Sequence, residues 1–544
     1  MEIADLSLPA TNKFASEYYY GTEEIKSFFH YNYQDGAHYS ERLNELSERI
    51  FMREELADHI ASFMKPFPTS SKVKESLEKL KQSNSVVVIG GQQAGILTGP
   101  LYSIHKVISI IAFAKQKEEE LGVPVVPIFW IAGEDHDYAE VNHIYLENDR
   151  KLEKWVYPNK IMDKRMVTDC PLNKELCQTW IQEVIATFGE TDHTKELIAF
   201  SKRAIDVSET FVDFFAYIVM ELFKEFGLLL VDSGNRELRQ LEKKILAEQI
   251  NKAEQITSAV WRQQAELDKH GYSKTIDMSK NAANLFYYDE EHFERILLEF
   301  DSEQHLFTGK NGSLSFSMDE ILALADKHPE RLSNNVVTRP LMQENLFPTL
   351  AFIAGPGEIA YWAELKQAFE EFGMKMPPII PRINITLVER DIAADLAQMQ
   401  LDFEQVLKNG LTEEVNTFME SVKDPNLVHL FTETKNLFAE NYGKIKQHAE
   451  KDYRGLIPLM QKNEKLLLEQ IMFMEGKFEE ALKLKYDVTM RKYAQIENSL
   501  RPNGGPQERT LNIFYFLNKY GLNFVEQLTN LPFEFDGKHK IVRI

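Results

Sequence analysis

Apolar residues fall along this chain in two patterns, short unbroken runs and long stretches that return to an apolar residue every three or four positions. Five runs stand out: Val86–Ile89, Val123–Ile131, Gly227–Val231, Thr349–Ala354 and Pro378–Pro381. They do not alternate with polar residues, so each predicts a strand covered on both faces, as in a parallel sheet. The helical stretches between them supply the covering layers and predict a doubly wound α/β core.

Around this core the pattern predicts four regions. Residues 1–82 read as helices rich in Tyr, Phe, Glu and Lys that pack on the core. Residues 83–390 hold the core, with excursions at about 142–205 and 236–335; the second contains Thr308–Ser313, a turn between two short strands. Residues 391–500 lose glycine and gain Glu, Lys, Leu and Met. Met460, Leu467 and Met474 recur every seven residues with Ile471 and Phe478 between them, and Tyr486, Tyr493 and Leu500 continue in a second register. The shift through Phe478, Leu482 and Tyr486 reads as a stutter in one long helix. Leu427, Leu430, Leu437, Ile445 and His448 supply an antiparallel partner. The pattern predicts a long coiled-coil hairpin, with a compact helical subdomain as the alternative, and its apolar seam is a natural homodimer contact. Residues 501–544 return to the core, with a helix over Thr510–Tyr520 that must bury Ile513, Phe514 and Leu517.

Charge narrows the function classes. Among 544 residues, 62 are Lys or Arg and 84 Asp or Glu, a net charge of −22. No basic excess exists for a general nucleic-acid surface. Cys170 and Cys177 are the two cysteines, which suits a reducing compartment, and without a Cys-x-x-Cys pair no zinc is expected. The N-terminus lacks a signal peptide's basic start and apolar core, and no apolar run reaches the ~20 residues of a membrane span. The expectation is a cytoplasmic protein with neither membrane nor nucleic-acid partner.

Ligands of open α/β sheets gather beyond the carboxyl ends of the strands. The first run ends in Gly90-Gly-Gln-Gln-Ala-Gly-Ile-Leu-Thr-Gly-Pro100. A glycine-rich turn into a helix cradles phosphate or carboxylate, and Pro100 suits the first helical position. Gly90, Gln92, Gln93, Thr98, Gly99 and Tyr102 are candidate binding residues, and His105 and Lys106 lie within reach of an anion held there. Ile96 and Leu97 replace the Lys and Ser/Thr of a P-loop, and no dinucleotide fingerprint is present. The alternatives are plain turn geometry for the glycines and helix packing for His105.

The second run leads into Gly133-Glu-Asp-His-Asp-Tyr-Ala-Glu-Val-Asn-His143, where carboxylates and imidazole crowd the expected mouth of the site. Glu134, Asp135 and His136 could hold a substrate ammonium, bind Mg²⁺ with a nucleotide, or do acid–base work; helix capping by Asp135 or Asp137 is the alternative. Asp232 after the third run is a turn former or a partner for a hydroxyl or amine. After the fourth, Gly355, Gly357 and Glu358 open a second glycine-rich helix start, with Tyr361 and Trp362 as ligand wall or core. Arg382, Asn384 and Thr386 after the fifth, with Asn503, Gln507 and Arg509 from the tail, could form a second anion or nucleotide pocket.

The glycine motif with Ile104-His-Lys106, Gly133-Glu-Asp-His-Asp137, Arg339-Pro-Leu-Met-Gln343, Gly355-Pro-Gly-Glu-Ile-Ala-Tyr-Trp362, Pro381-Arg382 and Asn503-Gly-Gly-Pro-Gln-Glu-Arg509 resembles the bacillithiol biosynthesis cysteine-adding enzymes, the BshC family. The resemblance spans essentially the whole chain. It implies a Rossmann-like, nucleotidyltransferase-like core with two connecting-peptide insertions and a dimerising coiled coil. It also implies an amide-forming ligase joining cysteine to glucosaminyl-malate with ATP, with or without Mg²⁺. Thr98–His105 stands where the related nucleotidyltransferases carry a His-Ile-Gly-His-like motif, and no Lys-Met-Ser-Lys-Ser loop appears. Adenylate and acyl-phosphate activation therefore both stay open. For this chemistry Asp135 or His136 is the candidate base or ammonium clamp, and His105 and Lys106 the candidate stabilisers of negative charge. The alternatives are a nucleotidyltransferase acting on another small molecule and a non-catalytic metabolite-binding scaffold.

Overall fold

The computed structural model describes residues 1–310, 312 and 314–544. All five apolar runs become strands of one parallel sheet: β1 (Val86–Gln92), β2 (Val125–Ile131), β3 (Leu229–Asp232), β4 (Thr349–Ala354) and β5 (Ile379–Pro381). Their spatial order is 3-2-1-4-5, the Rossmann order. β2 and β4 leave β1 on opposite sides, so the crossover direction reverses between β1 and β4 and opens a crevice at their carboxyl ends. Every residue of β2, β3 and β4 is buried, as the unbroken runs require.

The boundaries show which forces won locally. β1 runs three residues past the apolar stretch because Gly90 and Gly91 stay in register with Phe129 and Trp130. A Cβ on Gly91 would lie 2.9 Å from the Trp130 carbonyl, so that closeness demands glycine. The following helix starts at Tyr102 and not at Pro100. Pro100 instead bridges Asn512, and Leu101 N–H donates to Leu511 O at 2.8 Å, so the tail strips these residues from the helix. Asn512 also donates to Leu97 O and Gly99 O, at 2.9 and 2.6 Å. These contacts help hold Leu97, Thr98 and Gly99 at φ values of 51°, 71° and 68°.

The tail helix accordingly starts at Ile513, three residues later than its pattern predicts, with Asn512 as its cap. Ile513, Phe514 and Leu517 are buried in the core. His539–Arg543 pairs antiparallel with Glu2–Leu6, bringing the two ends of the chain together.

The second excursion forms an antiparallel sheet of five strands. Its Leu306–Gly309 and Ser315–Ser317 pair antiparallel, with Thr308 opposite Ser315; Asn311 and Ser313 of the predicted turn lie outside the described residues.

The chain divides into two compact units: residues 1–147, 153–387 and 507–544 in one, and 148–152 with 388–506 in the other. The second unit is helical. Pro425–Asp452 and Ile457–Lys485 form an antiparallel hairpin, tied by Lys435–Glu475 at 2.7 Å and Lys446–Glu464 at 2.5 Å, with the Phe431 and Phe478 rings 5.6 Å apart. The stutter predicted near Tyr486 is a break: the helix ends at Lys485 and another runs over Asp487–Leu500. Hairpin pairing does not cover the apolar seam. Leu430, Leu437, Ile445, Leu467 and Met474 remain between 40% and 56% exposed. Among the described residues no helix is long and apolar enough to cross a membrane.

Candidate active site

A cleft of about 750 Å³ opens where the sheet topology predicts, over the carboxyl ends of β1, β2, β4 and β5 in the first unit. Lys106 sits in the second turn of helix Tyr102–Leu121 and reaches back over β1. Its Nζ donates to Gly91 O at 2.7 Å and to the Glu358 carboxylate. Glu358 in turn accepts from the main-chain N–H of Gly355 at 2.6 Å, closing the start of helix Pro356–Trp362. One ion pair thus joins the loops on both sides of the topological switch. Burial lowers the Lys106 ammonium's affinity for its proton; Glu358 opposes this, and the nearby charges of Arg382 and Arg339 add to it.

Charge in the cleft falls into two groups. Lys106, Arg339, Arg382 and Arg509 line it with cations. Arg339 donates to the Tyr361 hydroxyl at 2.8 Å, and burial pushes that phenol up to about 12. The Arg382 guanidinium lies 5.8 Å from the Tyr102 ring. The second group is acidic: Gln93 Nε2 donates to Asp135 at 2.6 Å and to Glu140 at 2.8 Å, and His143 and Tyr145 complete the wall. Asp135 is anchored through its backbone, with its carbonyl accepting from Val167 N–H at 2.7 Å. A protein of net charge −22 therefore gathers four cations in one cleft, Lys106 paired with Glu358 and Arg382 with Glu508, beside the carboxylates of Asp135 and Glu140. This arrangement can hold an anion and an ammonium side by side.

The whole chain matches two consecutive profiles: "Bacillithiol biosynthesis BshC, N-terminal Rossmann-like domain" over residues 1–383, and "Bacillithiol biosynthesis BshC, C-terminal coiled-coil domain" over 385–544. The chain belongs to the BshC family. Relatives in Geobacillus sp. (strain WCH70), Geobacillus thermodenitrificans (strain NG80-2) and Bacillus cereus (strain AH187) are 47%, 45% and 39% identical over the full length of both chains, and each bears the name "Putative cysteine ligase BshC".

In this BshC chain the cleft brings together Gln92, Gln93, Tyr102, Lys106, Asp135, Gly355, Gly357, Glu358 and Tyr361 from the predicted residues. Arg382 and Arg509, predicted at a second pocket, line this same cleft. Their predicted companions do not line it. Asn384 accepts from Arg382 at 3.0 Å, the Thr386 hydroxyl meets His539 at 2.7 Å, and Gln507 exchanges two 2.9 Å bonds with the Leu387 backbone. Asn503 lies in a turn of the second unit at φ 53°.

Several other predicted residues are packed away from the cleft. Gly90 lies under Ile353 and Ile110, and Thr98 is buried beside Gly99. His105 is fully buried, its Nδ1 3.2 Å from Glu508. Glu134 turns inward to Arg239 at 2.6 Å. The His136 ring stands against Phe286 with centroids 6.1 Å apart. Asp232 accepts from Thr168 at 2.5 Å and from Gly234 N–H at 3.0 Å, and burial pushes its carboxyl up to about 6. Trp362 is core, stacked near Phe352 and Phe369.

Sequence reading gives Arg339, Glu140, His143 and Tyr145 no named role, although Arg339 heads the motif Arg339–Gln343 and Glu140 and His143 stand in the acid–imidazole segment after the second run. His143 and Tyr145 share one face of strand His143–Asn148, a period-two signal too short to stand out. Arg339 opens helix Thr338–Leu346 and follows no apolar run.

Proposed function

We propose that this chain adds cysteine to glucosaminyl-malate in the last step of bacillithiol biosynthesis, as an ATP-dependent amide-forming ligase. The observation that carries this reading is the pairing, in one cleft, of a four-cation cluster with a carboxylate pair. The name borne by the relatives supports the same chemistry. A scaffold would need neither group.

Amide formation requires an activated carboxylate and a neutral amine. ATP transfers a phosphoryl or adenylyl group to a cysteine carboxylate oxygen and releases ADP or pyrophosphate. The sugar amine attacks the carbonyl carbon, a C–N bond forms, phosphate or AMP leaves, and the amine surrenders a proton. Lys106, Arg339, Arg382 and Arg509 suit the phosphate and malate oxygens and the oxyanion of the tetrahedral intermediate. Arg382 keeps a buried Nε without a partner among the described residues, a donor that an anionic ligand would satisfy. Asp135, steered by Gln93, suits the ammonium and then its proton.

The uncovered apolar seam of the helical hairpin supports a homodimer formed through that unit. The free, buried Cys170 and Cys177 suit a reducing cytoplasm.

Purified protein incubated with cysteine, glucosaminyl-malate and ATP tests the reading by mass spectrometry. Bacillithiol formed only with all three present supports it. ATP turnover with no bacillithiol favours a nucleotidyltransferase for another substrate, and no reaction leaves the scaffold.

A further inference from the structure

We infer that Glu508, on the returning C-terminal segment, is a positioning residue that fixes the Arg382 guanidinium in the cleft for an anionic oxygen of a substrate. The inference rests on the ligase reading above, and the shared chemistry is a carboxylate or phosphate oxygen.

Arg382 leaves β5 with its main-chain N–H on Ala354 O at 2.8 Å, so its backbone is pinned at the sheet's edge. Its side chain would otherwise be free, with rotamer entropy to lose on binding. Glu508 removes that freedom in advance. One carboxylate oxygen accepts from Arg382 Nη2, the nitrogen that also meets Asn384 Oδ1 at 3.0 Å. The other carboxylate oxygen lies 3.2 Å from His105 Nδ1. Both oxygens are thereby used and the carboxylate cannot swing. What stays open is Arg382 Nε, buried and without a partner among the described residues.

The protonation states fit this role. Burial alone would raise the Glu508 carboxyl, but the charge of Arg382 and the His105 contact outweigh it and hold the group at about 2. Burial lowers His105, which Glu508 opposes and Arg382 reinforces. The set is therefore a fixed cation–anion pair backed by a neutral imidazole that donates from Nδ1. His105, a candidate for direct action on the substrate by its sequence position, serves the cleft through Glu508. The neighbours divide the work: Gln507 bonds the Leu387 backbone, and Arg509 lines the cleft.

The test compares full-length wild type, E508Q, R382Q and the double variant, with separate KM values for cysteine, glucosaminyl-malate and ATP, and kcat. E508Q is expected to raise KM for glucosaminyl-malate or for ATP about tenfold or more, and which one rises identifies the oxygen. Its kcat should stay within threefold. Adding E508Q to R382Q should cost little more than R382Q alone, and E508D should recover part of the loss. Unchanged KM values, a uniform rise in all three, or full additivity would overturn the inference. If E508Q does not fold, E508D against wild type carries the same comparison. If wild type has no turnover the ligase reading fails separately, and calorimetric titration of L-malate and ATP then decides: equal affinity of wild type and E508Q overturns the positioning role, and weaker binding by E508Q supports it.

Discussion

Lys106 donates to Glu358 across the point where the sheet's connections reverse direction, and so ties the loop after β1 to the helix start after β4. Two segments 252 residues apart in sequence form one floor for the cleft. Removing one partner strands the other as a buried charge, which typically costs about 3–5 kcal/mol. K106M and E358Q should each fall near the low end of that range, because Glu358 is 21% exposed. The double variant should lose less than the sum. Urea unfolding of all four proteins checks this, and strict additivity would contradict it.

Asp135 is held by Gln93 and faces the cleft, with His136 Nδ1 3.8 Å away and the buried Arg295 guanidinium acting on it by charge. D135N should raise KM for glucosaminyl-malate, whose sugar amine it would hold, by roughly 10–100-fold, the value of a charge-assisted hydrogen bond. Steady-state kinetics with each substrate varied in turn measures it. The same variant should leave KM for ATP within about threefold, on the same hydrogen-bond arithmetic.

Asp232 gives a pH signature. Its carboxyl is raised from 3.8 to about 6 in the folded protein, so the folded state holds more protons than the unfolded state between those values. Its contribution to stability is therefore full below about pH 4 and is lost as pH rises through about 6. One pKa unit is 1.36 kcal/mol, so the loss reaches up to about 3 kcal/mol. D232N removes this titration and keeps an oxygen for Thr168. The stability of D232N relative to wild type should rise from pH 4 to pH 7, read from denaturant melts across that range.

Trp362 separates core from ligand wall. Its indole is fully buried between Phe352 and Phe369. W362A should cost about 3–5 kcal/mol, as large cavities do. W362F should cost less, and its KM values should match wild type. A W362F protein of normal stability with a raised KM would place the ring in the site.

The five strands were legible because a strand buried on both faces leaves an unbroken apolar run, although the buried helix Phe211–Phe223 carries such a run too, over Phe214–Met220. The switch point followed once the runs were paired in a parallel sheet. The helix start at Pro100 was misread because its N–H-free residue pairs with Asn512, about 410 positions away in the chain. The same distance hid Glu508, whose role exists only when the tail folds back beside Arg382 and His105. Trp362 read ambiguously because an aromatic close behind a glycine-rich turn looks alike whether it faces a ligand or the core. Asp232 sat at a strand end, where turn formers are common, and its burial depends on Thr168 from an insertion.

Leu430 and Leu437 lie about half exposed on the helical hairpin. L430E with L437E should turn a dimer into a monomer in sedimentation equilibrium while leaving the helix content unchanged by circular dichroism. A wild-type monomer at micromolar concentration would remove the seam's assigned role.

Cysteine labelled with ¹⁸O in both carboxylate oxygens tests the central chemistry most directly. If the cleft activates that carboxylate with ATP, bacillithiol retains one label in its amide carbonyl and the other appears in inorganic phosphate or AMP. Bacillithiol formed with no label in either phosphate product would contradict the account.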